Sequence, residues 1–470
     1  MKRRDFLRVT AAGSALLGTP GFMAACKDRP EPRARDRLQV AEAAAAWIRA
    51  HGRESGGGLI WPIVPGEGPE AALNLYSGTP GVVLFFLELH HATGDPAYLK
   101  EAQEGAFLLQ RAFLEGGEWL EAAGAGEGDP TVGDFGLYTG RGGVAFTVAE
   151  TSRASGGDTF REESELLFNG LMEGARSPGE GTAWYEDGPE TAVYDVIGGS
   201  AGIGLTLLYA HESLQLSGAL DSAVQAGRYL MTKSRSGEVG LKWPMSEAYP
   251  RLMPNFSHGT AGIAYFLARL AEVSGDQEFL DSAVQGARYL QAVARCQADG
   301  CMVFHNEPEG EDLFYLGWCH GPTGTARLFH QLGRVTGEAE WHEWVERNAK
   351  GIRDQGIPEN RTEGFWNNVS QCCGDAGAGD FFLSLAQATG EGEHADFAHR
   401  LGDYIVREAS EDDAGFQWNQ AEHRTRPEFL QAQTGWMQGA AGVGAFFLHL
   451  DGAEKGRPPR IRLPDSPWLG

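Results

Sequence analysis

The chain has 470 residues, of which 42% are hydrophobic and 22% charged, and this balance excludes a disordered or collagen-like protein. Lys and Arg number 39 against 64 Asp and Glu, so the net charge is −25, which argues against nucleic acid as a partner. Glycine accounts for 66 residues, about twice its ordinary share. The positions of these glycines along the chain are the main clue to the fold.

The first 26 residues are predicted to form an export signal. Arg3-Arg4 precede a weakly apolar stretch that ends in Met23-Ala24-Ala25-Cys26. Paired arginines ahead of such a stretch are typical of the twin-arginine route, and small residues before a Cys are typical of a lipoprotein signal. We therefore expect a periplasmic or cell-envelope protein, with a lipid on Cys26 as its one contact with a membrane and residues 27–35 as a linker. The alternative is an N-terminal helix that stays attached to the body.

Seven Gly-x-x-Gly turns recur at near-constant spacing, and each is followed by an apolar run that favours a helix. The pairs are Gly78/Gly81, Gly140/Gly143, Gly199/Gly202, Gly259/Gly262, Gly321/Gly324, Gly374/Gly377 and Gly439/Gly442. An amphipathic helical pattern precedes each turn, over residues 36–51, 97–114, 160–174, 219–233, 278–295, 340–354 and 395–408. Such a repeat is typical of an architecture with one helix pair per unit.

The pattern predicts an all-α fold, an α/α toroid in which seven apolar inner helices are surrounded by seven amphipathic outer helices. The toroid is expected to form one domain over residues 36–452, followed by a C-terminal tail at 453–470. Each inner helix would begin at a glycine turn, so that seven helix N-termini point their unpaired N–H groups at one basin. We expect the first Gly of each pair to adopt a turn conformation closed to other residues, and the second to allow close backbone approach.

Residues suited to metal binding and proton transfer lie just before four of these turns. They are Tyr194-Asp195, His258, Trp318-Cys319-His320 and Cys372-Cys373. Because the turns face one another in a toroid, Cys319, Cys372 and Cys373 would form a three-thiolate site with its fourth position free, and sulfur ligands favour Zn²⁺. The alternative for these cysteines is a disulfide, since export leads to an oxidising compartment. Cys296 and Cys301, close together in a loop, are a more natural disulfide pair.

The seven turns, the Trp-Cys-His-Gly sequence at 318–321 and the Cys-rich turn before Gly374 resemble those of the LanC lanthionine cyclase family. The resemblance covers most of residues 36–452. It implies that Cys319, Cys372 and Cys373 hold zinc, with Cys373 at a position where the family usually has His. Three thiolates would give the Zn²⁺ site one net negative charge, and a substrate thiolate bound there would be more nucleophilic and more weakly held.

The chemistry implied by the resemblance is an intramolecular Michael addition. Zinc lowers the pKa of a peptide cysteine, and the thiolate attacks dehydroalanine or dehydrobutyrine to close a thioether ring. His258 matches the family position for acid-base work and Asp195 the position that orients a partner, while His320 is a second candidate proton donor. Bacterial members carry an Arg four residues before the first zinc Cys. This chain has Tyr315 there, so a guanidinium that would stabilise the enolate is missing at that position.

Three functions remain open on the sequence. The first is a zinc-dependent enzyme that adds a thiol to a dehydroamino acid, with a peptide or small thiol as substrate. The second is a carbohydrate-active toroid enzyme, a hydrolase, lyase or epimerase, whose sugar platforms would be Trp61, Trp184, Trp243, Trp366, Trp418 and Trp436. The third is a zinc-bearing binding protein of the cell envelope without turnover. Metal content separates the second function from the other two.

Overall fold

The computed structural model describes residues 36–66, 72–125 and 130–468. The predicted export signal at 1–26, which includes Cys26, and the linker at 27–35 lie outside the described residues. Within the described part of the chain, no helix has the length and apolar character needed to cross a membrane.

The described chain folds into a ring of paired helices. The α-helices of the described residues are, in chain order, α1 (Arg37–Ala50), α2 (Thr79–Thr93), α3 (Pro96–Glu115), α4 (Glu118–Ala122), α5 (Pro130–Gly133), α6 (Arg141–Ser155), α7 (Arg161–Glu173), α8 (Ser200–Leu214), α9 (Ala219–Thr232), α10 (Thr260–Ser274), α11 (Gln277–Val293), α12 (Pro322–Thr336), α13 (Ala339–Arg353), α14 (Asp375–Thr389), α15 (Gly392–Glu408) and α16 (Ala440–Lys455). The inner helices are α2, α6, α8, α10, α12, α14 and α16, and the outer helices are α1, α3, α7, α9, α11, α13 and α15. Each inner helix packs against the next, and α16 packs against α2, which closes the ring. The predicted α/α toroid is confirmed.

Burial follows the hydrophobic pattern that distinguishes the two rings of helices. In the inner helix α8 every residue from Ser200 to Ala210 is buried. The outer helix α9 buries one face, which includes Ala223, Ala226 and Leu230. A helix that is apolar all round is stable only inside a protein, whereas an amphipathic helix can cover it and still face water.

Short antiparallel strand pairs lie in the connections between helices. Within the described residues they are β1 (Arg53–Ser55) with β2 (Gly58–Ile60), β3 (Arg235–Ser236) with β4 (Leu241–Lys242), β5 (Arg295–Gln297) with β6 (Gly300–Met302), β7 (Ser410–Asp412) with β8 (Gly415–Gln417), and β9 (Gln420–Ala421) with β10 (Leu430–Gln431). Cys296 on β5 lies opposite Cys301 on β6, and the two form a disulfide. The expected pair is therefore present, but on facing strands rather than in the loop that the sequence indicated.

The glycine turns depend on close packing rather than on a special backbone angle. Gly259, directly before α10, has a φ of −146°, which any residue can adopt, but a Cβ there would lie 1.8 Å from the Met253 carbonyl oxygen. The expected turn conformation closed to other residues is therefore wrong for this first glycine, and lack of space is the physical reason for a Gly. The second glycine is similarly confined, because a Cβ on Gly262 would lie 2.0 Å from the Phe256 carbonyl oxygen. Left-handed glycines occur instead at the C-terminal ends of six inner helices, as at Gly275 with a φ of 75°.

A closed belt of backbone hydrogen bonds joins the seven turns where the inner helices begin. The donors and acceptors are Tyr76 N to Tyr138 O, Tyr138 N to Ile197 O, Val196 N to Ser257 O, Ser257 N to Cys319 O, Cys319 N to Cys372 O, Cys372 N to Met437 O and Met437 N to Tyr76 O, at 2.8–3.2 Å. The belt holds the residues just before the glycines in a circle around one basin.

The C-terminal tail, residues 457–468, crosses the inside of the ring. Its Asp465 is fully buried and accepts hydrogen bonds from the Tyr138 hydroxyl (3.0 Å), Trp318 Nε1 (3.0 Å) and Arg327 Nη1 (3.2 Å). The backbone N–H of Ile461 donates to Glu88 of α2. Because these partners belong to different sides of the ring, the tail occupies its centre.

Candidate functional site

Three buried cysteines meet where α12 and α14 begin. Cys319 lies two residues before Gly321, and Cys372 and Cys373 directly precede Gly374. The Sγ of Cys373 is 3.3 Å from the Sγ of Cys319 and 3.3 Å from that of Cys372, and all three sulfurs lie within 4.8 Å of one another. All three are free thiols, so the disulfide alternative is not adopted in this structure.

Two polar side chains from other turns contact the thiols. The Tyr76 hydroxyl lies 3.2 Å from the Cys372 Sγ as its hydrogen-bond donor. Gln438 Nε2 donates to the Tyr76 oxygen at 3.0 Å and approaches the Cys373 Sγ at 3.9 Å. The side-chain oxygen Oε1 of Gln438 accepts a hydrogen bond from Asn368 Nδ2 at 3.0 Å, which fixes the direction of the Gln438 side-chain amide. The Tyr76 proton is thereby directed at sulfur.

Burial and mutual contact shift the pKa values of these thiols. Burial raises the pKa of the Cys319 thiol well above its ordinary value, and the neighbouring thiols add to the rise. At Cys372 burial acts in the same direction, but hydrogen bonds from Cys319, Cys373 and Tyr76 outweigh it and hold the pKa of Cys372 well below its ordinary value. Cys372 is therefore the first of the three to form a thiolate, the form that binds metals.

This donor set fits a thiophilic metal ion. The three sulfur atoms converge without a carboxylate among them, and buried thiolates need a cation to compensate their charge. Three protein ligands leave one coordination position of a tetrahedral ion for a substrate. The cluster can therefore serve a catalytic Zn²⁺ rather than a closed structural one.

An aspartate–histidine pair lies beside the thiols. His258 Nδ1 is 2.7 Å from Asp195 Oδ2, and the other oxygen of this carboxylate accepts from the Gly198 N–H at 2.9 Å. Asp195 is buried, whereas 24% of the His258 side chain is exposed. The backbone N–H of Ser257, next to His258, donates to the Cys319 carbonyl at 2.9 Å, which places the pair beside the thiols. Because the carboxylate accepts a hydrogen bond from Nδ1–H of His258, Nε2 is the nitrogen left to exchange a proton.

His320 belongs to an aromatic cluster on the same rim. Its ring stacks on His305 with centroids 4.4 Å apart and also contacts Tyr315 at 5.0 Å and His258 at 5.8 Å. The buried Nδ1 of His320 has no hydrogen-bond partner among the described residues. Burial lowers the pKa of His305 to about 4 and that of His320 well below its ordinary value. Both rings are therefore neutral at pH 7.

Two charged residues reach the site from the loop between β9 and β10. The Arg424 guanidinium donates to Glu363 Oε1 at 2.6 Å, and its charge opposes the rise that burial gives to the pKa of Tyr315. Burial is the main cause that raises the pKa of the Tyr76 hydroxyl, and the thiols of Cys372 and Cys373 add to the rise. The charge of Glu422 makes a smaller contribution in the same direction. This loop therefore brings both a cation and an anion to the rim of the basin.

The structure brings the candidate residues from the sequence into one basin: Cys319, Cys372, Cys373, His258, Asp195 and His320. It adds Tyr76, His305, Gln438 and Arg424, which sequence reasoning missed. Gln438 directly precedes Gly439, as Cys373 precedes Gly374, so its register in the repeat was a usable signal. Arg424 lies in an irregular loop, and no pattern in the sequence points to it.

The tryptophans considered as sugar platforms are buried. Their exposed fractions lie between 0% and 7% for Trp61, Trp184, Trp243, Trp366, Trp418 and Trp436. Trp184, Trp243 and Trp418 each donate Nε1–H to a carbonyl of the preceding outer helix, at 2.7–2.9 Å. These side chains anchor the connections to the outer helices and present no open face to a sugar.

The fold and the site define an α/α toroid with a three-thiol centre of metal-binding type at the mouth of the ring. The model of the family described as Lanthionine synthetase C-like protein matches residues 69–463, and the chain belongs to this family. It is similar to Glutathione S-transferase LANCL1 of Danio rerio, with 21% identity over 346 residues, which are 70% of this chain and 74% of that protein. Nisin cyclase has a similar structure, with a TM-score of 0.58 at 15% identity over 91% of this chain and 95% of the cyclase. At that identity the likeness concerns the fold alone.

Proposed function

We propose that the protein is a zinc-dependent enzyme that activates a thiol and adds it to a dehydroamino acid in a peptide, forming a thioether. The observation that carries the proposal is the convergence of three buried thiols beside the His258–Asp195 pair. Membership of the LanC-like family supports it. The name of the curated relative, a glutathione S-transferase, supports thiol chemistry and suggests that a small thiol is also accepted.

Each residue of the site has a defined part in the proposed reaction. Cys319, Cys372 and Cys373 would hold Zn²⁺, which when bound supplies a Lewis acid that lowers the pKa of the substrate thiol. The thiolate sulfur bonds to Cβ of the acceptor, and the electron pair of the C=C bond moves toward the carbonyl to give an enolate. His258 Nε2, which carries no proton in the tautomer held by Asp195, takes the proton of the substrate thiol and then delivers it to Cα, which completes the thioether and restores the carbonyl group. The neutral His320 ring is the second candidate donor.

The proposal is tested by metal content and thiol addition together. The purified protein is expected to contain about one Zn²⁺ per chain and to add a thiol to a dehydroalanine peptide, because three thiolates with an open position bind a catalytic zinc. Cys319→Ala should lose both properties. His258→Ala should keep the zinc and reduce kcat by roughly 10²–10⁴, the usual contribution of a positioned acid or base. Zinc is measured by elemental analysis and the thioether by mass spectrometry.

The control for His258 is His342→Ala, which removes an exposed imidazole outside the basin and should leave kcat unchanged. A zinc-free protein that is fully active contradicts the proposal, and glycan cleavage by such a protein would favour a carbohydrate-active enzyme. Zinc binding by a wild type that adds no thiol would instead favour a binding protein without turnover.

A further inference from the structure

Two polar side chains from neighbouring turns are held against the thiol centre by the frame of the ring. Tyr76 and Cys372 each lie two residues before a turn glycine, and Gln438 lies one residue before the last of these glycines. The backbone belt joins the three turns, because Cys372 N donates to Met437 O at 2.9 Å and Met437 N donates to Tyr76 O at 2.8 Å. The distances from Tyr76 and Gln438 to the sulfurs are therefore set by backbone contacts as well as by the side chains.

The hydrogen bonds of these side chains all run toward sulfur. Asn368 Nδ2 donates to Oε1 of Gln438 at 3.0 Å, so the amide of Gln438 presents its Nε2 to the basin. This Nε2 donates to the Tyr76 oxygen at 3.0 Å and approaches the Cys373 Sγ at 3.9 Å. The Tyr76 hydroxyl has one proton, and it donates this proton to the Cys372 Sγ at 3.2 Å. Asn368, Gln438 and Tyr76 thus form a relay that ends on a candidate metal ligand.

Burial makes this relay stronger than a similar set of contacts in water. Asn368, Gln438, Cys372 and Cys373 are all buried. A hydrogen bond to an ionised acceptor is stronger than one between neutral groups, and a low local dielectric strengthens it further. A thiolate at Cys372 would therefore share part of its negative charge with the Tyr76 hydroxyl.

A centre of three thiolates has more need of such donors than one with a neutral ligand. Three thiolates would give a Zn²⁺ site one net negative charge, whereas two thiolates and an imidazole would leave the site neutral. Excess negative charge opposes the binding of a further anion, such as the thiolate of a substrate. Donors placed on the sulfurs reduce this repulsion without occupying the open coordination position.

We propose that Tyr76 and Gln438 are positioning residues that draw negative charge from the sulfur ligands and thereby strengthen the binding of a substrate thiolate at the open position. This inference rests on the proposed zinc site and deepens it. Tyr76 acts through the Cys372 sulfur, and Gln438 acts mainly through Tyr76, whose proton it directs at that sulfur. Neither side chain needs to touch the substrate.

The test compares Tyr76→Phe with Tyr265→Phe. The hydroxyl of Tyr265 is buried and has no hydrogen-bond partner among the described residues, so its removal is a matched control. We expect Tyr76→Phe to lower the zinc affinity by roughly 10–100-fold, measured by competition with a chelator, because the Cys372 thiolate loses a stabilising donor. In the Co²⁺-substituted protein the sulfur-to-cobalt charge-transfer band should move to longer wavelength, since the sulfur keeps more charge. Tyr265→Phe should match wild type in both measurements.

Kinetics and a second variant test how the relay acts. With saturating zinc, Tyr76→Phe should raise the KM for the thiol without lowering kcat, the pattern of lost binding rather than lost chemistry. Gln438→Met keeps the length of the side chain and removes its amide, and it should also lower the zinc affinity. In the double variant Tyr76→Phe/Gln438→Met, the loss of zinc affinity should be smaller than the two single losses combined, as for residues of one network.

The outcomes that contradict the inference differ from those that contradict the proposed function. Wild-type zinc affinity and an unshifted cobalt band in folded Tyr76→Phe overturn the inference while the proposed function stands. Equal changes in Tyr265→Phe, or fully additive losses in the double variant, overturn the relay as well. A wild type that binds zinc and adds no thiol overturns the proposed function alone, and one that binds no zinc overturns both.

Discussion

At the scale of single residues, the carboxylate of Asp195 determines which nitrogen of His258 faces the basin. Oδ2 of this carboxylate pairs with His258 Nδ1 at 2.7 Å, and Oδ1 is held by the Gly198 N–H. Because both oxygens are engaged, the carboxylate cannot turn away without losing a hydrogen bond. The imidazole is therefore held in the tautomer that leaves Nε2 free for proton transfer.

Asp195→Asn is predicted to impair proton transfer while leaving the metal in place. An amide can offer its N–H to His258 Nδ1, which would reverse the tautomer and put the proton on the wrong nitrogen. We expect kcat to fall by about a hundredfold or more, as for a misdirected general base, with zinc content unchanged. The control is Asp187→Asn, an exposed position in a loop of the same repeat. Wild-type kcat in Asp195→Asn would contradict a positioning role.

The sequence could predict those site residues that share a register in the repeat. Asp195, His258 and the three cysteines all lie within four residues before a turn glycine, and seven such turns can meet only around one basin. His305 and Arg424 lie in irregular connections instead. Their positions depend on the path of each loop and on long-range contacts, such as His305 with Tyr315 and Arg424 with Glu363, that no local pattern encodes.

At the scale of elements, the C-terminal tail connects the centre of the ring to the thiol centre. Asp465 on the tail binds Trp318, the residue directly before Cys319, and also binds Arg327 of α12. The sequence indicated a tail at 453–470 and nothing about its place, whereas in the structure α16 continues to Lys455 and the tail follows it. Packing against residues from several repeats decides its path, and such contacts have no signature within the tail itself.

Removing the Asp465 carboxylate is predicted to destabilise the fold. Asp465 is fully buried, and its loss would leave the Trp318 N–H and the Tyr138 hydroxyl without their acceptor and the Arg327 cation without its counter-charge. Breaking one side of a buried charge pair costs about 3–5 kcal/mol, so we expect Asp465→Ala to lower the free energy of unfolding by about that amount. Denaturant unfolding measures it. Asp413→Ala, at an exposed hairpin position, should change stability by less than about 0.5 kcal/mol. Equal effects of the two substitutions would show that the tail contributes nothing to the ring.

At the scale of the whole molecule, the ring is closed twice. The backbone belt returns from Met437 to Tyr76, and α16 packs against α1, α2 and α14. The repeat count and the apolar character of the inner helices made this closure predictable, because an unpaired end would expose an inner helix such as α2. The order of packing around the ring follows from the order along the chain.

Closure predicts that the seven helix pairs unfold together, unlike an open array whose repeats melt in part. A chain that ends at residue 439 loses α16 and exposes the buried faces of α2 and α14, where Phe85 now packs against the backbone at Gly444. We expect this chain to lose its cooperative transition and its zinc. Far-UV circular dichroism and tryptophan fluorescence followed in denaturant should coincide for the full chain and separate for the truncated one.

A chain that ends at Gly456 is the control for this truncation, because it keeps α16 and removes only the tail. It should retain a single transition at a lower denaturant concentration, since the ring stays closed while the Asp465 contacts are lost. A sharp single transition in the chain ending at 439 would mean that six helix pairs suffice. The thiol centre would then depend on its neighbouring repeats rather than on the complete ring.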